Sequence, residues 1–187
     1  MLRSGKKLSR KAIFLDRDGV INSSIIINGK PYAPTKLSDL LILPGVIDSL
    51  SRFKSHQYLN VVVTNQPDLS TGKQTKESLE KIHNYLYAHC PIDLIKVCAH
   101  TAENRCECRK PGIGMILEAA RELEINLVES FMIGDRWSDV EAGQRAGCKE
   151  IFFIDYGYNE KIPKGKFTVV KSLKECADKV FGSCQLN

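Results

Sequence analysis

The sequence predicts a doubly wound α/β fold, a mostly parallel sheet with helices on both faces. Three observations carry that reading. Five short apolar runs of strand length recur along the chain, and residues at helical spacing fill the intervals between them. Small polar clusters then stand where the strands should end. Alternating strand and helix implies βαβ units, and hence a parallel sheet covered on both sides.

Taken in order, the first strand is expected over Ala12–Leu15, running into Asp16-Arg17-Asp18-Gly19. Segment 23–43 interrupts the rhythm: Ile25 to Ile27, Asn28-Gly29 and Pro31 suit a small hairpin-like flap. Val46, Ile47, Leu50 and Phe53 repeat at helical spacing after Pro44-Gly45. A second strand, Asn60–Val63, ends in Thr64-Asn65, and Thr75 is a plausible N-cap for a helix carrying Leu79, Ile82 and Leu86. Leu94–Val97 is the third strand. After Pro111-Gly112, Met115, Ile116, Ala119, Ala120 and Leu123 form another helical face. Phe131–Ile133 leads into Gly134-Asp135. Ser138 with Glu141 then reads as a capping box and Gly147 as a left-handed C-cap. Ile151–Ile154 is the fifth strand, and Ser172 with Glu175 opens a closing helix through Phe181.

A chain of 187 residues is long enough for one core without staples. The expected organisation is a basic, flexible N-terminus over 1–11 and one domain over 12–183, with the flap at 23–43 and a metal loop at 98–108. The net charge of +5 does not argue for nucleic acid. Arg3, Lys6, Lys7, Arg10 and Lys11 supply five cations at the start, and the remaining 27 − 5 = 22 basic residues balance 22 acidic ones. No apolar stretch reaches membrane-span length, and no apolar signal region precedes Asp16. A cytoplasmic monomer without membrane or nucleic-acid partners is expected. Seven cysteines in such a chain are not a disulfide framework, and Cys90, Cys148, Cys176 and Cys184 read as isolated thiols.

In a doubly wound sheet, ligands bind at the carboxyl ends of the strands, where strand order reverses. Asp16, Thr64 and Asp135 should therefore converge, joined by Lys110. That inventory suits phosphoryl transfer through an aspartyl-phosphate. By charge, Asp16 is the nucleophile and Asp18 the general acid and base. Asp16 and Asp135, with the backbone carbonyl of Asp18, would hold Mg²⁺, a hard cation that prefers oxygen ligands. Thr64 and Lys110 would neutralise and position the phosphoryl oxygens. Asp139 fits either support of the metal or compensation of a helix dipole.

Cys98, His100, Cys106 and Cys108 form a complete tetrahedral ligand set for structural zinc. A closed site of four ligands leaves no position for chemistry. Arg109 and Lys110 follow directly, so this zinc would fix the loop that presents both cations.

Jointly, Ile13-Phe14-Leu15-Asp16-Arg17-Asp18-Gly19 with Asn22, Val63-Thr64-Asn65-Gln66 with Gly72, the four thiol and imidazole ligands with Cys108-Arg109-Lys110-Pro111, and Gly134-Asp135 resemble the haloacid dehalogenase (HAD) superfamily. Within it they resemble the capless D-glycero-D-manno-heptose 1,7-bisphosphate 7-phosphatases and their histidinol-phosphatase relatives. The resemblance implies a Rossmann-like domain without a large cap. It also implies Asp16 as nucleophile, Asp18 as proton donor, Asp16, Asp18 and Asp135 as the Mg²⁺ site, and Thr64 and Lys110 as phosphoryl stabilisers. Arg109 would recognise substrate, with Asn22, Asn65, Gln66 and Arg136 around the same pocket. Two departures lie at the substrate edge: Arg136 where lysine is common, and Pro67-Asp68-Leu69 in place of a Ser-Gly-Ile-like stretch. The implied activity is hydrolysis of a small sugar phosphate, in heptose or lipopolysaccharide synthesis. Histidinol phosphate, another sugar phosphate, a polynucleotide 3′-phosphate and a catalytically silent binding domain are the alternatives.

Overall fold

The computed structural model describes residues 9–183. The first eight residues and the last four, Cys184 among them, lie outside these, as does most of the basic head expected over 1–11. Arg10 and Lys11 do not belong to such a head. Arg10 bridges to the backbone at Ile125, and Lys11 opens the first strand with its ammonium 4.5 Å from the centre of the Tyr58 ring.

Strand β1 (Lys11–Leu15) is followed by a hairpin of β2 (Ile25–Ile27) and β3 (Lys30–Tyr32). The remaining strands are β4 (Tyr58–Asn65), β5 (Leu94–Cys98), β6 (Phe131–Gly134), β7 (Glu150–Ile154) and β8 (Thr168–Val170). The helices are α1 (Val46–Ser55), α2 (Lys76–His89), α3 (Gly114–Glu122), α4 (Trp137–Ala146) and α5 (Leu173–Phe181). Six strands form one parallel sheet in the order β5-β4-β1-β6-β7-β8. The chain winds from β1 toward β5, then crosses back to β6 and winds the other way. The reversal lies between β1 and β6.

Side chains alternate across a strand, and that period sorts the core into two halves. Ile13, Leu15, Val62, Ile133, Phe152 and Ile154 face Leu50 and Phe53 of α1, Ile82 and Leu86 of α2, and Leu173 of α5. Ala12, Phe14, Val61, Val63, Met132 and Phe153 face Met115, Ile116 and Ala119 of α3 and Val140 of α4. With both faces covered, the central strands are mostly apolar, as parallel strands tend to be, while Lys96 in edge strand β5 reaches Glu118 and Glu122.

All five expected strands and all five helices form, and so does the hairpin, whose turn places Asn28 and Gly29 at positive φ. Thr75 and Ser172 accept from Ser78 N (3.1 Å) and Glu175 N (3.1 Å) as N-caps, and Gly147 is left-handed at the end of α4. Two details differ. Strand β8 was not expected, because three residues at a sheet edge carry no measurable period. The capping box of α4 is not Ser138 with Glu141: the helix starts at Trp137, and Asp139 Oδ2 accepts from the backbone N–H of Arg136 at 3.0 Å. The tight exit from β6 pulls the first turn two residues earlier. No helix among the described residues is long and apolar enough to cross a membrane.

Candidate active site

Asp16 leaves β1 and Asp135 leaves β6, the two strands that flank the reversal, so topology alone brings them together. The backbone N–H of Asp16 donates to Ile133 O at 3.0 Å and locks the two strand ends in register. Two glycines make the approach possible. A β-carbon on Gly19, at φ +81°, would fall 1.9 Å from Asp135 Oδ2, and one on Gly134 would fall 2.1 Å from the β-carbon of Asp139.

Lys110, fully buried, lies 3.0 Å from Asp16 Oδ1 and 2.7 Å from Asp139 Oδ1. Asp16 Oδ1 also accepts from the Arg17 N–H at 2.6 Å. Carboxylate oxygens of Asp16, Asp135 and Asp139 lie within 4.8 Å of one another, all buried. Asp135 Oδ2 accepts from the Tyr158 hydroxyl at 2.8 Å, while its Oδ1 has no hydrogen-bond partner. Burial pushes the Asp16 carboxyl up to about 7, with Asp139 and Asp18 adding to the rise and Lys110 opposing it. Burial, then Asp16 and Asp139, raise Asp135 well above the ordinary carboxylate range. Burial disfavours the Lys110 ammonium, but Asp139 and Asp16 outweigh it and hold the group charged. With all four carboxylates (Asp16, Asp18, Asp135, Asp139) ionised, the two cations (Arg17, Lys110) would leave the group two charges short of neutrality, and the raised Asp16 and Asp135 reflect that crowding. A divalent cation with oxygen ligands fits that deficit and the orphaned Asp135 oxygen.

The side chain of Asp18 is committed elsewhere. Its Oδ1 accepts from Arg17 Nε (3.1 Å) and Nη2 (2.9 Å) and from Asn22 Nδ2 (2.9 Å); its Oδ2 accepts from Gln66 Nε2 (2.8 Å). Asp139 is therefore the third carboxylate beside Asp16 and Asp135, and the place expected for Asp18 in the Mg²⁺ site, through its backbone carbonyl, does not draw on this side chain. Of the two roles expected of Asp139, the structure shows the one at the start of α4, which its other oxygen caps. Asn22 and Gln66, expected in the substrate pocket, are fully buried behind Asp18 and orient it. Gln66 Nε2 also donates to Thr64 Oγ1 at 2.8 Å, which leaves the hydroxyl proton of Thr64 available to a ligand. Asn65 clamps the backbone of Lys110, accepting from its N–H at 3.0 Å and donating to its carbonyl at 3.1 Å.

Above this floor opens a cleft of about 330 Å³ whose lining includes Asp16, Asp18, Lys30, Lys73, Arg109 and Arg136. The hairpin supplies Lys30 to Tyr32 at its rim, and among the described residues no larger element covers it. Sequence reasoning passed over Arg17, Lys30, Lys73, Tyr158 and Glu160. Arg17 sat inside a recognised motif and could have been questioned there; the others lie in turn-rich stretches without period.

Beside the cleft, Cys98, His100, Cys106 and Cys108 gather as a second cluster. Cys108 Sγ lies 3.2 Å from Cys98 Sγ, 3.3 Å from Cys106 Sγ and 3.2 Å from His100 Nδ1. Cys98 Sγ lies 3.7 Å from Cys106 Sγ and 3.6 Å from His100 Nδ1. Metal–sulfur bonds of about 2.3 Å in a tetrahedron give sulfur–sulfur edges of about 3.8 Å; the Cys98–Cys106 distance matches that edge, and the two distances to Cys108 are shorter. Arg109 N–H donates to Cys106 Sγ at 3.3 Å, and Arg109 Nη1 to His100 O at 3.0 Å, so the cluster and the cleft share a backbone.

Residues 107–176 match the HAD-hydrolase-like family model. A D-glycero-beta-D-manno-heptose-1,7-bisphosphate 7-phosphatase from Helicobacter pylori strain 26695 is 38% identical over 147 residues, 75% of this chain and 82% of that protein. The corresponding protein from strain J99 is 34% identical, covering 91% and 97%. A D-glycero-alpha-D-manno-heptose-1,7-bisphosphate 7-phosphatase from Campylobacter jejuni is 33% identical, covering 90% and 94%. The crystal structure of a D,D-heptose 1,7-bisphosphate phosphatase from B. bronchiseptica, complexed with magnesium and phosphate, superposes with a TM-score of 0.77 at 28% identity, covering 91% of this chain and 97% of that one. The chain belongs to the HAD hydrolase superfamily, in the family of the heptose 1,7-bisphosphate phosphatases.

Proposed function

We propose that this chain is a magnesium-dependent phosphatase that removes the 7-phosphate of D-glycero-D-manno-heptose 1,7-bisphosphate through an aspartyl-phosphate at Asp16. The observation that carries the chemistry is the buried group of Asp16, Asp135 and Asp139 around Lys110, with one Asp135 oxygen unpartnered. The heptose assignment draws its support from relatives of that name that align with most of the chain.

Asp16, Asp135 and Asp139, directly or through water, and the Asp18 carbonyl would hold Mg²⁺, which keeps Asp16 ionised beside an anionic phosphate. Asp16 Oδ1 is held by Arg17 N–H and Lys110, which leaves Oδ2 to attack phosphorus in line. The Asp16–phosphorus bond forms as the bond to the sugar oxygen breaks, and Asp18 protonates that oxygen. Water then attacks phosphorus, its proton returns to Asp18, and the bond to Asp16 breaks. Lys110 and the Thr64 hydroxyl face the charge that builds on the equatorial oxygens. Asn22, Gln66 and Arg17 hold the Asp18 carboxyl in place. Zinc in the cluster of Cys98, His100, Cys106 and Cys108 would fix the backbone that carries Arg109 and Lys110.

The cleft lining sets four cations (Lys30, Lys73, Arg109, Arg136) against four carboxylates (Asp16, Asp18, Asp68, Glu160). Lys30, Lys73 and Arg109, which have no carboxylate partner among the described residues, are groups that would receive a second phosphate. The test compares kcat/KM, with Mg²⁺, for both anomers of heptose 1,7-bisphosphate, for histidinol phosphate and for a 3′-phosphorylated oligonucleotide. Heptose bisphosphate should lead by about 100-fold, and Asp16→Asn should lose about 10³-fold or more. A preference for either other substrate overturns the assignment; an active Asp16→Asn overturns the mechanism.

A further inference from the structure

The segment after β7, residues 155–160, contacts the nucleophile turn, the end of β6 and the hairpin on one side of the cleft. Tyr156 donates its hydroxyl to Gly19 O at 3.1 Å, behind the nucleophile turn. Tyr158 donates to Asp135 Oδ2 at 2.8 Å, and Asn159 N–H donates to Gly29 O at the hairpin tip at 2.8 Å. Glu160 takes the guanidinium of Arg136 in a two-point grip: Nε donates to Oε2 at 3.0 Å and Nη2 to Oε1. Arg136 and Glu160 both line the cleft that holds Asp16. Arg136 is 38% exposed and Glu160 only 13%.

Of the four cations around the cleft, Lys30, Lys73 and Arg109 have no carboxylate partner among the described residues; Arg109 donates instead to a backbone carbonyl. Arg136 alone is paired. A phosphate is recognised by the same planar fork that Glu160 now fills. Glu160 fills the Nε–Nη2 edge of that guanidinium, so a phosphate reaches the same edge only by displacing it.

We propose that Glu160 is an internal competitor for the site of the substrate's second phosphate: its carboxylate occupies the Arg136 fork in the free enzyme and is displaced when a sugar bisphosphate binds. Its return to the fork opposes retention of the product, which still carries that second phosphate. A dianionic phosphate can displace a monoanionic carboxylate, whereas a neutral sugar hydroxyl at the same place cannot. Glu160 therefore lowers affinity for bisphosphates in exchange for release and selectivity. This inference rests on the phosphatase reading above, but not on heptose being the sugar.

The experiment uses the full chain with Mg²⁺ and p-nitrophenyl phosphate as reporter substrate. Inhibition constants are measured for fructose 1,6-bisphosphate and for fructose 6-phosphate, and their ratio isolates what the second phosphate contributes. Glu160→Gln should lower the constant for the bisphosphate about five- to tenfold and change the monophosphate constant little. Glu160→Ala should move it in the same direction. The gain should vanish when Arg136→Gln is added, because the two side chains act on one fork. A bisphosphate constant that is unchanged or raised in both Glu160 variants overturns the proposal, as does a gain that persists without Arg136. A protein that hydrolyses p-nitrophenyl phosphate but not heptose 1,7-bisphosphate would instead overturn the sugar assignment and leave this ratio readable.

Discussion

Asp18 shows how a carboxylate gains a role from what holds it. Four hydrogen bonds from Arg17, Asn22 and Gln66, two of them from the Arg17 guanidinium, fix its orientation beside Asp16. Arg17 is completely buried and also faces His83, its Nη1 lying 3.2 Å from His83 Nε2. Burial, and then the neighbouring guanidinium, depress the His83 imidazole to about 4, with Asp18 opposing. An unfolded histidine titrates near about 6.5. Between these values the unfolded chain takes up a proton that the folded chain refuses, so stability rises with pH. The contribution is complete above about 6.5 and is lost as pH falls toward about 4, up to about 1–3 kcal/mol. Urea unfolding of the wild type and of His83→Gln should therefore diverge as pH drops from 7.5 to 4.5, the wild type losing more. A difference between the two that stays flat over that range would refute the account.

Among the elements, the stretch from Cys98 to Lys110 joins two clusters by hydrogen bonds rather than by proximity alone. Cys106 Sγ accepts from Arg109 N–H, the Arg109 side chain reaches back to His100 O, and Asn65 grips the Lys110 backbone. Removing the metal from the thiol cluster should release the first two of these restraints and leave the third. We expect zinc-stripped protein in excess Mg²⁺ to lose about tenfold or more in kcat/KM, with a lowered melting temperature. Full turnover by verified zinc-free protein would refute the mechanical role.

Much of this architecture was legible because strand-end chemistry and apolar runs coincide. Asp16, Thr64 and Asp135 each follow a run long enough to declare a strand, and Lys110 follows four recognisable ligands. What escaped has physical reasons. Asn22 and Gln66 stand beside motif residues, and linear order cannot tell a side chain facing the cleft from one facing inward. Tyr158 and Glu160 sit on a connection with neither helix nor strand, where no periodicity reports direction. Asp139 could be read as either a cap or a metal neighbour, and sequence could not show that one of its oxygens caps α4 while the other meets Lys110.

On the scale of the whole molecule, the crowding of buried carboxylates is a standing cost to the fold. Relieving it should stabilise the entire domain, because Asp16 and Asp135 terminate the two central strands about which the sheet is wound. Mg²⁺ at about 100 times its dissociation constant should stabilise the native state by about 2.7 kcal/mol, read as a rise in melting temperature. In Asp135→Asn the rise should disappear, while the apo variant melts no lower than the apo wild type. A wild type indifferent to Mg²⁺ would show that the charge is balanced in some other way.

The hairpin tip bears a further consequence. Gly29 accepts its hydrogen bond from Asn159, so the doorway to the catalytic floor is framed by two jambs some 130 residues apart in sequence. Refitting this enzyme to a bulkier sugar thus requires redesigning both jambs together; a hairpin transplanted alone from a relative would hang on a post cut for another door.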